Sequence, residues 1–335
     1  MALDDSVTRK LKESASKVDA FIDELLEPRK PKVLYEASRH LIAAGGKRLR
    51  PYLVMKACEL VGGDTGLAVP YAAALEILHN FTLVHDDIMD NDSIRRGVQT
   101  VHSRWGVPVA IASGDLLFAK VFEAMYKPSL EGALPCGRAV ECIKRVTDAA
   151  IAICEGQVLD ISYPMTSDVS EEDYTFMVGG KTSALFKACV EVGAIVGGGD
   201  GEQVEKIGSF AYGAGIAFQI VDDVLGATAD EKILGKPVGS DLREGKKTLI
   251  VIHALENASQ EGKEAILKVL GSENASLTDV EVACKVLLDS GSIDYAKEVA
   301  SKYAEEARAM LDAFPNSAAK SDLLEMVEYF MSRTF

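Results

Sequence analysis

Two aspartates one helical turn apart are the first feature of this sequence that could do chemistry. Asp86 and Asp90 belong to the run VHDDIMD at 84–90, which follows an apolar segment with helical periodicity. Both carboxylates would lie on one face of a helix, where like charges repel unless a cation binds them together. Carboxylate oxygens suit Mg²⁺, which completes its shell with phosphate oxygens and water. A magnesium site and a solvated acidic helix end both explain this spacing.

A second acidic pair follows another apolar helical run. Asp222 and Asp223 come directly after FQIV at 218–221. Two acidic pairs on apolar helices favour metal binding over a structural explanation, because an unpaired buried charge is costly. Gly226 stands where a third aspartate would complete a repeat of the first motif. Asp222 is therefore the predicted ligand, and Asp223 and Asp230 are candidates to assist it through water.

Four clusters of lysine or arginine with glycine accompany the acidic pairs. They are GGKRLRP at 45–51, IRRG at 94–97, GGKT at 179–182 and GKPVGSDLREGKKT at 235–248. Glycine lets the backbone approach a ligand, and arginine and lysine bind phosphate oxygens. Basic turns are usually solvated surface, but beside two acidic motifs they predict a diphosphate ligand. The GGKT run does not fit a P-loop, because residue 175 is Thr where that motif has Gly, and no predicted strand precedes it.

Helices are the elements that must position these residues. Apolar residues recur at three- and four-residue intervals in Ser14–Leu26, Val69–Asn91, Gly137–Tyr163 and Ile293–Ala313. The run VGAIVGGG at 192–199 fits either a strand or a buried helix end closed by glycines. The breaks are short, and none resembles an interdomain linker. The sequence therefore predicts one all-α domain over residues 1–335, a bundle of ten or more helices that holds a site in its core.

Composition narrows the class of partner. The 335 residues include 51 Asp and Glu against 36 Lys and Arg, a formal net charge of −15. That balance argues against nucleic acid or an anionic membrane surface as the main partner. No apolar run approaches the ~18 residues needed to span a bilayer, and the N-terminal stretch is too polar for a signal peptide, so we expect no membrane insertion. The six cysteines form no CxxC pair, which favours free thiols in the cytoplasm.

The motifs together resemble those of the trans-isoprenyl diphosphate synthases, or polyprenyl synthetases, and are most similar to the archaeal-type geranylgeranyl diphosphate synthases. The similarity runs from Gly45 to Thr248, in the family's order and at its spacings. It implies an isoprenoid synthase fold, all-α around a deep central cavity, in a homodimer. It also implies Mg²⁺-dependent, head-to-tail transfer of an allylic prenyl group (dimethylallyl, geranyl or farnesyl) to isopentenyl diphosphate, with release of diphosphate.

The resemblance also implies a role for individual residues. Asp86, Asp90 and Asp222 would hold the Mg²⁺ ions, about three per active site. Residues implied for the allylic diphosphate are Arg95, Lys181, Thr182, Gln219, Lys236 and Lys246. Lys181 and Gln219 are also implied in catalysis, Gln219 near the developing cation. Residues implied for isopentenyl diphosphate are Lys47, Arg50, His79 and Arg96. The glycine at 226 and the Val98-Gln99 pair after the RRG motif depart from the family pattern.

Product length is the finest inference from the resemblance. Phe81, five residues before Asp86, would form the floor of the cavity, and a small neighbour at Thr82 matches synthases of the C20 product, geranylgeranyl diphosphate. A farnesyl product and a longer C25–C30 product are the alternatives, and from pattern alone Phe81 is equally well a core residue. A class I terpene cyclase lacks the isopentenyl site and has a second motif that is absent here. A non-catalytic subunit of a heteromeric synthase would be expected to lose motifs that this chain keeps.

Overall fold

Helices make up nearly all of the described part of the chain. The computed structural model describes residues 2–228, 239–272 and 274–332. In these ranges the only strands, β1 (Ile94–Arg95) and β2 (Val98–Gln99), pair antiparallel in a short hairpin. More than ten α-helices lie in the same ranges. The all-α prediction with ten or more helices is therefore confirmed.

The helices are numbered here in chain order. Up to residue 162 they are α1 (Ala2–Leu25), α2 (Lys32–Ala43), α3 (Leu49–Leu60), α4 (Thr65–Met89), α5 (Val101–Trp105), α6 (Val107–Leu130) and α7 (Cys136–Ser162). The middle of the chain forms a 3₁₀ turn (Tyr163–Met165), α8 (Glu171–Val178), a π-helical segment (Gly179–Ser183), α9 (Ala184–Gly197) and α10 (Gly201–Thr228). The remainder forms α11 (Ser240–Glu244), α12 (Leu249–Asn257), α13 (Gln260–Val269), α14 (Leu277–Asp289), α15 (Ser292–Met310), a second 3₁₀ turn (Leu311–Ala313) and α16 (Ala318–Met331).

Hydrophobic periodicity located the long helices but not all of their ends. The four periodic segments lie in α1, α4, α7 and α15. Helix α4 begins before the periodic run, at Thr65, because the side chain of Asp64 accepts a hydrogen bond from the Gly66 N–H at 2.8 Å. Polar capping residues lie outside the apolar pattern, so periodicity alone cannot place them.

Glycine decides the ambiguous run at 192–199. Helix α9 continues through it to Gly197, and Gly198 then adopts a left-handed conformation at φ +92°. The Gly199 N–H donates to the carbonyl of Ala194 at 2.9 Å, closing the helix end. The buried helix end is confirmed, and the strand alternative is wrong.

One compact unit comprises Met1–Asp148, Ala188–Gly208 and Ala313–Glu325. Within it, α4 packs against α3 and α6. A Cβ atom at Gly114 of α6 would lie only 2.2 Å from Nε2 of His85, so this glycine lets α6 approach α4 closely. The first acidic motif therefore lies on a helix that is firmly packed on two sides.

The other compact unit comprises Ala149–Lys187, Ser209–Asp312 and Met326–Phe335. Apolar residues of α10, including Ile220 and Val224, belong to the same buried cluster as Leu249 and Ile252 of α12. Helix α10 thus contributes to the core of this unit and also carries the second acidic motif. The expectation that residues 1–335 form one domain stays a prediction.

Helix α4 is also the one helix in the described residues that is long and apolar enough to cross a membrane by length and composition. Its most apolar window has a mean hydropathy of 1.4, and 61% of that window is buried inside the protein. A buried core helix meets the same criterion, and the packing of α4 against α3 and α6 is of that kind.

Candidate active site

The first acidic motif lies at the C-terminal end of α4. Asp86 is partly buried and Asp90, which caps the helix, is exposed. The Asp90 N–H donates to the Asp86 carbonyl at 2.8 Å, which confirms that the two residues occupy successive turns. The C-terminal end of a helix carries partial negative charge, so two carboxylates there strongly favour a bound cation. This arrangement fits the predicted magnesium site.

A third carboxylate of the same run has a different environment. Asp87 is fully buried and forms an ion pair with Nε of Arg95, while Nη2 of Arg95 lies 3.5 Å from Asp92. Burial raises the pKa of Asp87, and the Arg95 charge opposes that rise. Arg95, predicted to bind the allylic diphosphate, is thus anchored by Asp87 beside the acidic motif.

Basic residues from two separate sequence clusters converge on His79. Burial, followed by the charges of Arg50, Arg96, Arg95 and Arg48, lowers the pKa of His79 well below its usual value. Three of the four residues predicted for isopentenyl diphosphate, Arg50, His79 and Arg96, therefore lie in one electropositive cluster. The fourth, Lys47, is exposed on the adjoining loop.

Aromatic side chains surround Phe81, the predicted chain-length residue. Its ring lies 4.8 Å from the ring of His85 and 5.0 Å from that of Phe118 on α6, measured between centroids. Phe118 in turn contacts Phe122 at 5.2 Å. The Thr82 hydroxyl donates to the His79 carbonyl at 2.8 Å and so turns back onto its own helix. Phe81 is thus one member of an aromatic row that continues along α6.

The second unit contains a cavity of about 300 Å³ that collects the other predicted residues. Lys181, Thr182, Gln219, Asp222 and Lys246 all line it. Further lining residues that the sequence interpretation did not assign to the site include Asp160, Tyr163, Tyr174, Met177, Val178, Asp241, Lys247 and Thr248. Lys236, also predicted here, lies outside the described residues.

Both carboxylates and lysines line this cavity. Burial, then the charges of Asp241 and Asp222, raises the pKa of Asp223 to about 7, against hydrogen bonds from Tyr174 at 2.6 Å and Gln219 at 2.9 Å that lower it. Burial would lower the pKa of Lys246, but the neighbouring acids, Asp241 first, raise it overall. Crowded hard oxygen donors of this kind fit Mg²⁺.

Gly226 is explained by the position of Asp241. A Cβ atom at residue 226 would lie 2.8 Å from Oδ2 of Asp241, so that carboxylate occupies the space beside the missing third acid. Asp223 lines the same cavity, whereas Asp230 lies outside the described residues. In the part of the chain that the structure describes, no three His, Cys, Asp or Glu side chains are placed to hold an ion by themselves. Mg²⁺ ordinarily shares its shell with substrate phosphates.

The GGKT run presents its lysine and threonine from a π-helical segment. π-Bulges are rare and frequently occur at functional sites. Gly156 of α7 lies so close to the π-helical segment that a Cβ atom at residue 156 would be 2.3 Å from the backbone nitrogen of Lys181. Lys181 forms an ion pair with Asp160, and the Thr182 hydroxyl donates to Oε1 of Gln219 at 3.0 Å. Backbone contact with α7 therefore holds both side chains in the cavity wall.

The residues that sequence reasoning missed are polar side chains that pair with or hydrogen-bond to the predicted basic residues or their neighbours. Asp160 and Asp241 face the cavity of the second unit, and Glu76 and Asn80 lie beneath the arginine cluster of the first. A signal existed for the last two, since polar residues four apart interrupt an otherwise apolar stretch of α4.

Comparison with known proteins places these features in a family. A sequence profile of the Polyprenyl synthetase family matches residues 31–287. A geranylgeranyl diphosphate synthase of Methanosarcina mazei is 43% identical over 325 residues, covering 97% of each chain. A geranylfarnesyl diphosphate synthase of Aeropyrum pernix is 42% identical over 307 residues, covering 90% of this chain and 95% of its own.

Solved structures agree with the sequence comparison. The crystal structure of geranylgeranyl pyrophosphate synthetase from Pyrococcus horikoshii superimposes with a TM-score of 0.92 at 44% identity, covering 98% of this chain and 99% of that one. A decaprenyl diphosphate synthase from Rhodobacter capsulatus superimposes with a TM-score of 0.88 at 32% identity, covering 98% of each chain. The predicted fold family is therefore confirmed, while the relatives' names differ in product length.

Proposed function

The chain belongs to the polyprenyl synthetase family and is accordingly a trans-prenyltransferase, and we propose that it synthesises geranylgeranyl diphosphate. In the proposed reaction the allylic C–O bond breaks to give an allylic cation and diphosphate. The double bond of isopentenyl diphosphate attacks the cation, and a proton is then lost to the released diphosphate. The observation that carries the proposal is the convergence of five predicted residues on the charged cavity of the second unit.

The proposed roles in the second unit follow from charge and orientation. Lys181 and Lys246 stabilise negative charge as it grows on the departing diphosphate. Thr182 and Asp223 hold the Gln219 amide from its two ends, so its orientation beside the reacting carbon is fixed. The side chains of Tyr174, Met177 and Val178 supply wall that excludes water from the cation.

The proposed roles in the first unit divide between the two substrates. Arg95 assists the allylic diphosphate, and Lys47, Arg50, His79 and Arg96 bind isopentenyl diphosphate. The low pKa of His79 supports a neutral imidazole that contributes hydrogen bonds without charge.

Magnesium completes the proposed site. Asp86, Asp90 and Asp222 are the proposed ligands, and the helix-end position of the first two and the crowded acids around the third support this assignment. When bound, Mg²⁺ supplies Lewis-acid neutralisation of diphosphate charge. The number of ions, about three as in the family resemblance, is part of the proposal.

Three further properties belong to the proposal. A homodimer is supported by an exposed apolar face of α7, where Ile151, Val158 and Ile161 recur at helical spacing. Cytoplasmic location is supported by the free state of all six cysteines. A single catalytic domain over residues 1–335 is supported by family similarity that covers nearly the whole chain.

An isotope-incorporation assay tests the proposed function. Purified protein receives labelled isopentenyl diphosphate with dimethylallyl, geranyl or farnesyl diphosphate, and with or without Mg²⁺. We expect incorporation that requires both an allylic primer and the metal. Absence of incorporation by the folded protein alone would favour the non-catalytic subunit. Consumption of an allylic diphosphate without isopentenyl diphosphate would instead indicate a cyclase.

A further inference from the structure

A chain of hydrogen-bonded polar side chains, buried in its middle, adjoins the arginine cluster of the first unit. It links Asp19, Arg48, Glu76, Asn80 and Arg96 through side-chain hydrogen bonds. None of Arg48, Glu76 and Asn80 has an assigned role in the proposed reaction. The chain nevertheless ends on Arg96, one of the residues proposed for isopentenyl diphosphate.

The hydrogen-bonded network contains two carboxylates, Asp19 and Glu76. Of these, Glu76 is almost completely buried, at 2% exposed. Its Oε1 accepts from Nη1 of Arg48 at 3.0 Å and from Nδ2 of Asn80 at 3.2 Å. Asn80 also donates to the Glu76 carbonyl at 2.8 Å. A buried carboxylate is tolerated only when it is paired and hydrogen-bonded, and these contacts supply both for Glu76.

Arg48 links Glu76 to the glycine-rich loop at residues 45–48. Its backbone is left-handed at φ +54°, and its guanidinium donates to the carbonyls of Ile42 at 3.0 Å and Gly45 at 3.3 Å. A left-handed arginine persists only where surrounding contacts determine it. The loop that carries Lys47 and leads into Arg50 is therefore shaped by a side chain that Glu76 anchors.

Arg96 also contacts this loop. Its Nη1 donates to the carbonyls of Leu41, at 2.8 Å, and Gly45, and to Oδ1 of Asn80 at 3.3 Å. A Cβ atom at Gly46 would lie 3.1 Å from the Arg96 guanidinium and 3.2 Å from that of Arg48. Two guanidinium groups thus pack against the side of Gly46 from which a Cβ atom would project, and both hydrogen-bond to the Glu76–Asn80 pair.

We propose that Glu76, acting with Asn80, is a positioning residue that sets the geometry of the isopentenyl diphosphate site without touching the substrate. The inference rests on the proposed function of that site. The Glu76 carboxylate holds the Arg48 side chain in place, and Arg48 in turn orients the loop that presents Lys47 and leads into Arg50. Asn80 holds the Arg96 side chain in place. Burial lowers the pKa values of Arg50 and Arg96, and the charge of Glu76 opposes that lowering.

The direction in which the KM for isopentenyl diphosphate changes distinguishes two roles for Glu76, positioning of the arginines and simple neutralisation of their charge. Glu76→Gln keeps the shape of the side chain and removes its charge. If Glu76 only offset the arginines, the variant would bind a diphosphate more tightly, and its KM for isopentenyl diphosphate would fall. Positioning predicts a KM that rises about tenfold or more, the equivalent of one charge-assisted hydrogen bond. The KM for the allylic substrate should stay within about twofold.

A second variant leaves every charge in place. Asn80→Leu keeps the branching of the side chain at a fully buried position and cuts the hydrogen bond to Arg96. Positioning predicts the same selective rise in the KM for isopentenyl diphosphate, whereas charge balance predicts no change. Because the charge is retained, this variant decides the question even if Glu76→Gln does not fold.

Glu191→Gln is the matched control. Glu191 is also buried, at 3% exposed, and lies 3.1 Å from Arg145 in the same unit. We expect it to lower the melting temperature without a selective change in either KM. An active Glu76→Gln enzyme with an unchanged or lower KM for isopentenyl diphosphate would overturn the inference. The proposed function would survive that result, since it depends on wild-type incorporation.

Discussion

Replacement of Gly156 by alanine tests whether backbone contact with α7 positions Lys181, the lysine proposed to act in catalysis. A Cβ atom at residue 156 would lie 2.3 Å from the Lys181 nitrogen, 2.9 Å from the Met177 carbonyl oxygen and 3.0 Å from the Gly180 carbonyl carbon. Ordinary contact begins at 3.4 Å, so the π-helical segment would have to move by more than 1 Å. All three atoms belong to the backbone, which cannot swing aside as a flexible side chain does.

The movement has two measurable consequences. Overpacking of this kind costs about 1–3 kcal/mol, which denaturant unfolding reports as a lower unfolding free energy. A displacement of about 1 Å at Lys181 and Thr182 costs roughly 100-fold in kcat. Both effects should appear together, because one shift of the segment causes both.

Gly137→Ala provides the control on the same helix. A Cβ atom at residue 137 would meet nothing within 4 Å, so alanine should stabilise the helix by about 0.5–1 kcal/mol without a change in kcat. The reasoning would be refuted if Gly156→Ala matched Gly137→Ala in both unfolding free energy and kcat. A loss of stability with a normal kcat would show that the contact is structural only.

Three further predictions concern product length, metal dependence and pH. Phe81→Ala should shift the product beyond C20, and Phe118→Ala should shift it in the same direction because it frees the Phe81 ring to move. Chromatography that shows a C20 product from both variants would exclude the aromatic row as the floor of the product cavity. Asp222→Asn should raise the Mg²⁺ concentration for half-maximal activity by about tenfold or more, and an unchanged metal titration would contradict its role as a ligand. His79 has a lowered pKa in the folded protein, so only the unfolded chain takes up its proton as the pH falls below about 6.5. The unfolding free energy should then fall by up to about 1.4 kcal/mol per pH unit as the pH falls. Denaturant melts between pH 7.5 and 5 should show that His79→Gln lacks this contribution. Equal slopes of unfolding free energy against pH for the two proteins would refute the burial of neutral His79.

The chemistry of the site was more predictable from sequence than its geometry. Asp86 and Asp90 were identified because helical spacing converts directly into a shared face. Asp222 was predicted from its position after an apolar helical run, Lys181 and Gln219 were placed by family resemblance, and all three line one cavity. Spacing in a single helix is a local property, whereas the order of several motifs along the chain relates residues that are far apart in the sequence.

Tertiary contacts account for what the sequence interpretation missed. The basic run at 45–51 gave no sign that Arg48 turns inward to Glu76 while its neighbour Lys47 stays exposed. That difference depends on a left-handed backbone at Arg48 and on a carboxylate supplied by another helix. The approach of Asp241 to Gly226 likewise joins two separate segments, so no local pattern could reveal it.

Mass spectrometry of the reaction product tests the central proposal most directly. Purified wild-type protein would be incubated to completion with farnesyl diphosphate, isopentenyl diphosphate and Mg²⁺, and the dephosphorylated product would be weighed. The proposal predicts a C20 alcohol, formed by one condensation, with no product when Mg²⁺ is withheld. A product of C25 or longer, or recovery of unchanged farnesol from the active, folded protein, would contradict it.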